Sequence, residues 1–345
     1  MSFLKNAWYV AALSESVTTT PVKRVVLGEN IALYRTESGV PVALSDRCPH
    51  RFAPLHQGKV KGDCIECPYH GLQFNPDGVC AINPHGDHRI PQAAKVRHFA
   101  LEERDGLVWI WAGETSHADK SKLLDLSEFF GHGTMALVSG DYILDAHYEL
   151  VLDNLLDLSH APFLHPTTLA DPESIKTLRV EMKQEGDAVW AYHYFPDSPP
   201  APQFKPFRQS ENPVCDGHAH MRWDPPGSLQ LDVGVTECGR PTEEGLFIHM
   251  VHMLTPIDMH HTRYTWIAAR NFLTEVQEVS LGMQQQIELA FTTEDEPMIQ
   301  WVAENMGTHD LFSLSPVLLP GDAAGVRARR ILKLLREQET QPVVV

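Results

Sequence analysis

Short apolar runs separated by turn sequences fill the first third of the chain. The runs lie at residues 24–26, 31–34, 41–45 and 107–111. Between them stand Gly28-Glu29-Asn30, Ser38-Gly39, Pro76-Asp77-Gly78 and Asp105-Gly106. Glycine adopts the positive φ of such turns without strain, so these sequences indicate tight connections between strands. We therefore predict an all-β domain over residues 1–115, closed by a strand at 107–111.

The pattern changes after a polar stretch at residues 113–127, which we interpret as a linker. Apolar positions with helical spacing occur at 149–160, 275–305 and 322–338, whereas residues 177–270 read as strands with proline-rich connections. Strands and helices that are segregated along the chain favour an α+β fold over a doubly wound sheet. Residues 116–345 are therefore predicted to form a second, α+β domain, with an antiparallel sheet flanked by helices.

Charge and composition narrow the classes of partner. With 28 basic and 45 acidic residues the formal net charge is −17, which argues against nucleic acid or an anionic membrane as a partner. No apolar run approaches the roughly 18 residues of a membrane span, and residues 1–13 do not resemble a signal peptide. Six cysteines are too few for a disulfide scaffold. We therefore expect a cytoplasmic protein.

Two short motifs combine cysteine and histidine. Cys48-Pro49-His50 is followed, after sixteen residues, by Cys67-Pro68-Tyr69-His70-Gly71. Two thiolates and two imidazoles suit either a tetrahedral zinc ion or a Rieske [2Fe–2S] cluster. Zinc fingers usually place both cysteines on one element, whereas each loop here supplies one cysteine and one histidine. This order favours the Rieske cluster, and a structural zinc site remains the alternative.

A second candidate metal site lies in the segment that ends at His165. On a helix, Asp153, Asn154, Asp157 and His160 share one face, which by itself is typical of an ordinary amphipathic helix. We expect this helix to end before Pro162, with His165 following five residues after His160. Two such histidines with a carboxylate from elsewhere form the facial triad of non-haem Fe(II), which leaves positions open for oxygen and substrate.

Together these motifs resemble one family, the Rieske non-haem iron oxygenases. Cys48-Pro-His50-Arg51 and Cys67-Pro-Tyr-His70-Gly-Leu72 resemble its Rieske loops, and Asn154, Asp157, His160 and His165 resemble its N-x-x-D-x-x-H-x₄-H motif. Residues 6–10, 103–111 and 269–272 resemble the subfamily of vanillate, dicamba and toluenesulfonate oxygenase components. Ala53 and Tyr69 stand where respiratory Rieske proteins have a second cysteine pair, which favours the oxygenase type.

The resemblance implies a role for each candidate residue. Cys48, His50, Cys67 and His70 would hold one [2Fe–2S] cluster, and His160, His165 and Asp295 would hold one mononuclear Fe(II). Glu294 is the alternative to Asp295, and Pro297 is expected to kink the helix that carries them. Asp157 would link His160 to His70 of the neighbouring subunit of a homotrimer, and Asn154 would support the iron site. His252 and Gln286 fall where relatives place pocket residues.

The implied protein is the terminal oxygenase of a multicomponent system. NAD(P)H would supply electrons only through a separate flavin or iron–sulfur reductase, because the chain has no glycine-rich dinucleotide loop. The expected reaction is O₂-dependent O-demethylation of a small methoxy-substituted aromatic acid such as vanillate, with release of formaldehyde. Hydroxylation of an aryl methyl group and ring dihydroxylation are alternatives. A Rieske electron-transfer protein and a zinc-stabilised binding protein are the alternatives outside the oxygenases.

Overall fold

The computed structural model describes residues 3–340, so the outermost residues of both predicted domains, 1–2 and 341–345, lie outside the description. The chain divides into two compact units. The first comprises Met1–Asp125 with Thr255–Asp258, and the second comprises Leu126–Leu254 with Met259–Val345.

The first unit consists of β-strands, as the alternation of apolar runs and turns predicts. Its strands are β1 (Trp8–Leu13), β2 (Val22–Val26), β3 (Glu29–Arg35), β4 (Pro41–Ser45), β5 (Lys59–Lys61), β6 (Cys64–Glu66), β7 (Gln73–Phe74), β8 (Cys80–Ile82), β9 (Leu101–Arg104) and β10 (Leu107–Trp111). They form three antiparallel sheets in the orders β1-β10-β9, β2-β3-β4 and β5-β6-β7-β8. Every residue of β10 is buried, which explains its unbroken apolar sequence. The prediction of an N-terminal all-β fold is confirmed.

The second unit is built on a seven-stranded antiparallel sheet in the order β11-β17-β16-β15-β14-β13-β12. Its strands are β11 (Ala136–Leu144), β12 (Arg179–Glu185), β13 (Ala188–Ser198), β14 (Cys215–Asp224), β15 (Ser228–Thr236), β16 (Leu246–Pro256) and β17 (Thr262–Arg270). The helices are α1 (Tyr148–Leu156), α2 (Ala161–Leu164), α3 (Gln277–Leu289), α4 (Glu296–Met306) and α5 (Ala323–Thr340). An antiparallel sheet with helices confirms the predicted α+β class.

Two details of the helical segments differ from the predictions. The helix predicted over 149–160 ends at Leu156, and a separate 3₁₀ turn, Leu158–His160, follows it. Pro162 lies in the first turn of α2 instead of stopping a helix, because the N–H groups of a first turn have no partner within the helix.

The expected kink at Pro297 takes the form of a widened turn. A π-helical segment, Ala290–Asp295, joins α3 to α4, and Pro297 lies in the first turn of α4. The Glu296 N–H donates to the Phe291 carbonyl, five residues earlier, which is the spacing of a π-helix. Proline has no N–H to give to the carbonyl four residues before it, which favours this change of register. Within residues 3–340 no helix is both long and apolar enough to cross a membrane.

Candidate metal centres and the cavity beside them

The two Cys-His loops of the first unit have the same backbone geometry. The Cys48 N–H donates to the Ala53 carbonyl and the Cys48 carbonyl accepts from the Phe52 N–H, both at 2.9 Å. In the second loop the Cys67 N–H donates to the Leu72 carbonyl at 2.8 Å, and the Cys67 carbonyl accepts from the Gly71 N–H at 3.1 Å. The residue that closes each loop has a positive φ, 61° at Phe52 and 70° at Gly71. The two loops therefore have the same conformation, with a cysteine at the same position in each.

The four predicted ligands meet where these loops face each other. Cys48 and Cys67 are buried, His50 is exposed and His70 is half-buried, and the centroids of the two imidazole rings lie 4.5 Å apart. Burial raises the pKa of Cys48 to about 11. The Nδ1 atom of His70 is buried and has no hydrogen-bond partner among the described residues. A buried cysteine pair facing a histidine pair fits a cluster with sulfur-bound and nitrogen-bound irons.

The spacing of the ligand atoms distinguishes this cluster from one zinc ion. A single tetrahedral ion needs its ligand atoms within about 4 Å of one another, given bonds of about 2.0–2.3 Å. Within the described residues, no three of these four side chains have their ligand atoms within 4.8 Å of one another. The wider separation fits a binuclear cluster.

Three residues form the second centre, in the second unit. His160 ends the 3₁₀ turn after α1, His165 follows α2, and Asp295 ends the π-helical segment. The Asp295 Oδ1 atom lies 3.5 Å from His160 Nε2 and 3.2 Å from His165 Nε2. Their ligand atoms lie within 4.8 Å of one another, as one metal ion requires. Burial raises the pKa of Asp295, but the close pairing of its carboxylate with both imidazole rings outweighs burial and holds that pKa well below its usual range.

Hydrogen bonds on the far side of each ring set the tautomers of the two histidines. His160 Nδ1 donates to the Asp157 backbone carbonyl at 2.6 Å, and His165 Nδ1 donates to Glu294 Oε2 at 2.7 Å. With Nδ1 carrying the proton, a neutral imidazole presents a lone pair on Nε2. Both lone pairs then face Asp295. This donor set, two imidazole nitrogens and one carboxylate, fits non-haem Fe(II).

Glu294 and Asp295 have different surroundings although they are neighbours. Asp295 is buried and faces both Nε2 atoms, and Asn154 Nδ2 donates to its Oδ1 atom at 2.9 Å. Glu294 binds the opposite side of His165 and also accepts from Thr168 Oγ1 at 2.8 Å. Asp295 therefore faces both imidazoles, whereas Glu294 lies behind His165, a position that the sequence analysis did not assign to it.

Asp157 lies between α1 and the 3₁₀ turn. Its carboxylate accepts from the Ser159 N–H at 3.0 Å and lies 3.9 Å from Nε2 of His193, a fully buried residue on β13. Burial raises the pKa of Asp157, but the nearby His193 ring and the hydrogen bonds from Ser159 lower it to about 2. The Asp157 atom that binds His160 is the backbone carbonyl, so the carboxylate is left free of that ring.

An apolar cavity opens beside the three converging residues. Its lining includes Leu155, Leu169, Phe195, Phe204, Met221, Leu231, Val233, Ile248, Met250, Ile287 and Phe291, together with Asn154, Ser174, Gln203 and His252. His252 is buried, and its Nδ1 atom lies 2.5 Å from the Tyr264 hydroxyl. Gln286 is not among the described lining residues, and its amide donates to the Thr168 carbonyl at 2.8 Å. The predicted contact between Gln286 and substrate therefore finds no support in this geometry.

Two family models match the chain. The Rieske [2Fe-2S] domain model matches residues 7–99, and the model of the vanillate O-demethylase oxygenase C-terminal domain matches residues 144–338. The chain is 36% identical to the chloroacetanilide N-alkylformylase oxygenase component of Rhizorhabdus wittichii, over 99% of this chain and 98% of that protein. It is 32% identical to the dicamba O-demethylase oxygenase component of Stenotrophomonas maltophilia, over 98% and 99% of the two chains.

Solved structures show the same similarity. Dicamba monooxygenase bound to 3,6-dichlorosalicylic acid superposes with a TM-score of 0.91 at 32% identity, over 99% of this chain and all of that one. A caffeine complex of NdmA from Pseudomonas putida CBB5 shares the fold, with a TM-score of 0.74 at 24% identity. The match to the Rieske domain model agrees with the separation of the four ligands and removes the zinc alternative for the first centre.

Proposed function

The chain belongs to the vanillate O-demethylase family of Rieske non-haem iron oxygenases, and on that basis we propose that it removes an alkyl group from an oxygen or nitrogen atom of an aromatic substrate. It is a Rieske oxygenase component that uses a [2Fe–2S] cluster and non-haem iron. The convergence of His160, His165 and Asp295 beside an apolar cavity carries the proposal, since a metal held by these residues would lie against a substrate in the cavity.

Two separate sets of residues would hold the cluster and the iron. Cys48, His50, Cys67 and His70 would hold the cluster, and the three converging residues would hold the iron, which activates O₂ when bound. In O-demethylation, one oxygen atom enters a C–H bond of the methoxy carbon. The other leaves as water with two electrons and two protons. The resulting hemiacetal then gives a phenol and formaldehyde.

The protein's own residues orient the reacting groups. Asn154 fixes the rotamer of Asp295, while Glu294 and the Asp157 carbonyl hold the two imidazoles with Nε2 towards the metal. The apolar wall excludes water and orders an aromatic ring by contact. His252 Nε2 has no partner among the described residues and is available to a polar atom of the substrate.

The proposed electron route needs a second copy of the chain and a reductase. From the family resemblance we propose that Asp157 links His160 to His70 of a neighbouring subunit, in a head-to-tail homotrimer. Oxygenase components of this kind take their electrons from a separate reductase, and we propose NAD(P)H as the source. A cytoplasmic location remains a prediction from the sequence.

Replacement of Asp295 tests the assignment of the iron site. Asp295→Ala should lose mononuclear iron and substrate turnover while it keeps the visible spectrum of the Rieske cluster, because the cluster ligands lie in the other unit. Iron analysis, the spectrum and formaldehyde release measure these effects. The control, Glu278→Ala, removes an exposed acid of α3 and should change none of them. Full turnover by Asp295→Ala would contradict the assignment.

Substrate panels distinguish O-demethylation from the other reactions. Reduced, iron-loaded protein is mixed with O₂ and with aryl methyl ethers, N-alkyl anilides, aryl methyl compounds and unsubstituted rings. An aldehyde and a dealkylated product support the proposal. N-dealkylation is the second candidate, favoured by the relative at 36% identity. A hydroxylated product without aldehyde would indicate methyl or ring oxidation, and no product from any class would favour an electron carrier.

A further inference from the structure

A turn outside the proposed ligand set, formed by residues 83–89, reaches the second cluster loop. His85 Nε2 lies 2.7 Å from the backbone carbonyl of His70, and the centroids of the two imidazole rings are 6.1 Å apart. A carbonyl can only accept a hydrogen bond, so His85 Nε2 carries the hydrogen and is the donor. The turn also packs on the next residue of the loop, because a Cβ atom at Gly71 would lie 3.3 Å from Cγ of Pro84.

Hydrogen bonds within the turn hold His85 in this position. The His85 N–H donates to Asn83 Oδ1 at 3.1 Å, and the Asn83 side-chain amide donates to the Arg89 carbonyl at 2.7 Å. Gly86, with a φ of 58°, supplies the left-handed residue that the turn requires. The ring of His85 is exposed, but its backbone is already fixed. The bond that the ring makes therefore costs little further conformational entropy.

The first cluster loop is held at a different point. Asp46, two residues before Cys48, accepts from the His56 N–H at 2.8 Å and lies 2.5 Å from His56 Nδ1. This contact joins the two chain segments that flank the loop, whereas His85 binds the backbone of a proposed ligand itself. The second loop thus has the more direct connection between the cluster and a residue outside the ligand set.

A hydrogen bond to the His70 carbonyl affects the cluster in two ways. It fixes the main chain of His70 and hence the direction of the imidazole that would bind iron. The N–H dipole also turns its positive end towards the ligand, which favours the reduced cluster because that state holds one more electron. Hydrogen bonding around the ligands and exposure to solvent are among the factors that set the reduction potential of an iron–sulfur cluster.

We propose that His85 is a positioning residue of the Rieske cluster, which orients the ligand His70 through its main chain and raises the reduction potential. This inference rests on the proposed ligand set and on no particular substrate. In the proposed electron route, His70 is also the ligand through which electrons leave for the neighbouring subunit. His85 therefore holds the point where that route leaves the cluster.

Replacement of His85 tests the proposal on the cluster itself. Protein loaded with its cluster is titrated with reductant and followed by EPR and circular dichroism. His85→Leu should lower the equilibrium constant of one-electron reduction about threefold, equivalent to about 30 mV. It should also broaden the EPR signal of the reduced cluster, because the His70 ring is then less firmly oriented. An unchanged potential and EPR signal would overturn the proposal.

Two further variants separate hydrogen bonding from packing. His85→Gln keeps an N–H donor and should restore most of the potential, whereas His85→Leu keeps only apolar volume. The control, His117→Leu, removes an exposed histidine of the same unit and should change neither measurement. An equal shift in both His85 variants would assign the effect to packing and overturn the proposal. If His85→Leu loses the cluster, retention in His85→Gln supports the donor role and loss there contradicts it.

A ligand variant keeps the proposal separate from the assignment on which it rests. Cys67→Ser should lose the visible spectrum of the cluster. A normal spectrum in this variant would contradict the ligand set. Loss of the spectrum, together with an unchanged potential in His85→Leu, would contradict the role of His85 alone. Neither measurement uses a substrate, so both results are independent of the proposed dealkylation.

Discussion

At the scale of single residues, the position of Asp157 depends on contacts with residues outside its sequence motif. His193 is fully buried on β13, and neither ring nitrogen has a hydrogen-bond partner within the described residues. Asp157 faces it from one side. A Cβ atom at Gly321 would lie 2.4 Å from Asp157 Oδ1, so only glycine fits there without a shift of the carboxylate. The backbone before α5 and the strand β13 thus hold Asp157 between them.

His193 should therefore affect electron transfer through the position of Asp157. We expect His193→Leu to slow oxidation of the reduced Rieske cluster, in the presence of substrate and O₂, by about tenfold or more, because the Asp157 carboxylate then loses the imidazole beside it and is oriented by the Ser159 N–H alone. Stopped-flow absorbance of the cluster measures this rate. Iron content and the cluster spectrum should stay the same, since His193 is not in the ligand set.

The conservative variant separates positioning from packing. His193→Gln keeps an N–H donor of similar length and should restore most of the rate, whereas His193→Leu keeps only the volume. Equal rates in wild type and His193→Leu would contradict the positioning role. Equal slowing in both variants would assign the effect to loss of packing.

At the scale of whole elements, a buried ion cluster joins α5 to α1. Arg329 is buried on α5 and donates to Glu149 Oε2 at 2.8 Å and to Asp153 Oδ2 at 2.7 Å, both on α1. Arg336, two turns later, donates to Glu149 Oε1 at 2.5 Å. Helix α1 also carries Asn154 and leads directly into Asp157 and His160. The C-terminal helix therefore fixes the element from which the second metal centre is built.

Removal of Arg329 should destabilise the second unit strongly. Arg329→Leu leaves Glu149 and Asp153 without their shared partner, and breaking a buried ion pair from one side costs about 3–5 kcal/mol. Urea unfolding measures the free-energy difference. The same replacement at the adjacent, exposed Arg330 should change stability by less than about 0.5 kcal/mol. A loss at Arg329 no larger than at Arg330 would contradict the structural role of the cluster.

Local sequence signals predict the elements more fully than the contacts between them. Turn glycines and apolar runs mark β4 and β10, and paired Cys-His spacings mark both cluster loops, because these signals act over a few residues. The approach of His193 to Asp157 depends on a tertiary contact between β13 and the turn after α1, which no local pattern indicates.

At the scale of the whole molecule, both metal centres lie beside exposed aromatic side chains. Phe52 and Tyr69, next to the cluster histidines, are 62% and 64% exposed, and Phe163, between His160 and His165, is 72% exposed. Large exposed apolar side chains beside functional sites are more typical of a surface that contacts another chain than of a surface that stays free. A head-to-tail ring of identical chains would cover them, because such a contact repeats until the ring closes.

A mixture of two inactive variants tests this assembly. Cys67→Ser removes the cluster and keeps the iron site, whereas Asp295→Ala removes the iron site and keeps the cluster. If electrons cross between subunits, co-expressed chains should recover turnover, although each variant alone is inactive. In rings of three that assemble at random, about a quarter of the contacts join a chain with an intact iron site to a chain with an intact cluster in the required direction. About a quarter of wild-type activity is therefore expected.

A third substitution establishes the direction of the crossing. If Asp157 links the iron site of its own chain to the cluster of the next, Asp157→Ala should abolish recovery when added to the Cys67→Ser chain. The same change in the Asp295→Ala chain should have no effect, because that chain supplies only the cluster. Recovery that is lost equally in both cases would assign Asp157 a structural role instead. No recovery at all, with mixed trimers present by mass, would put electron transfer within a single chain and remove the reason for a ring.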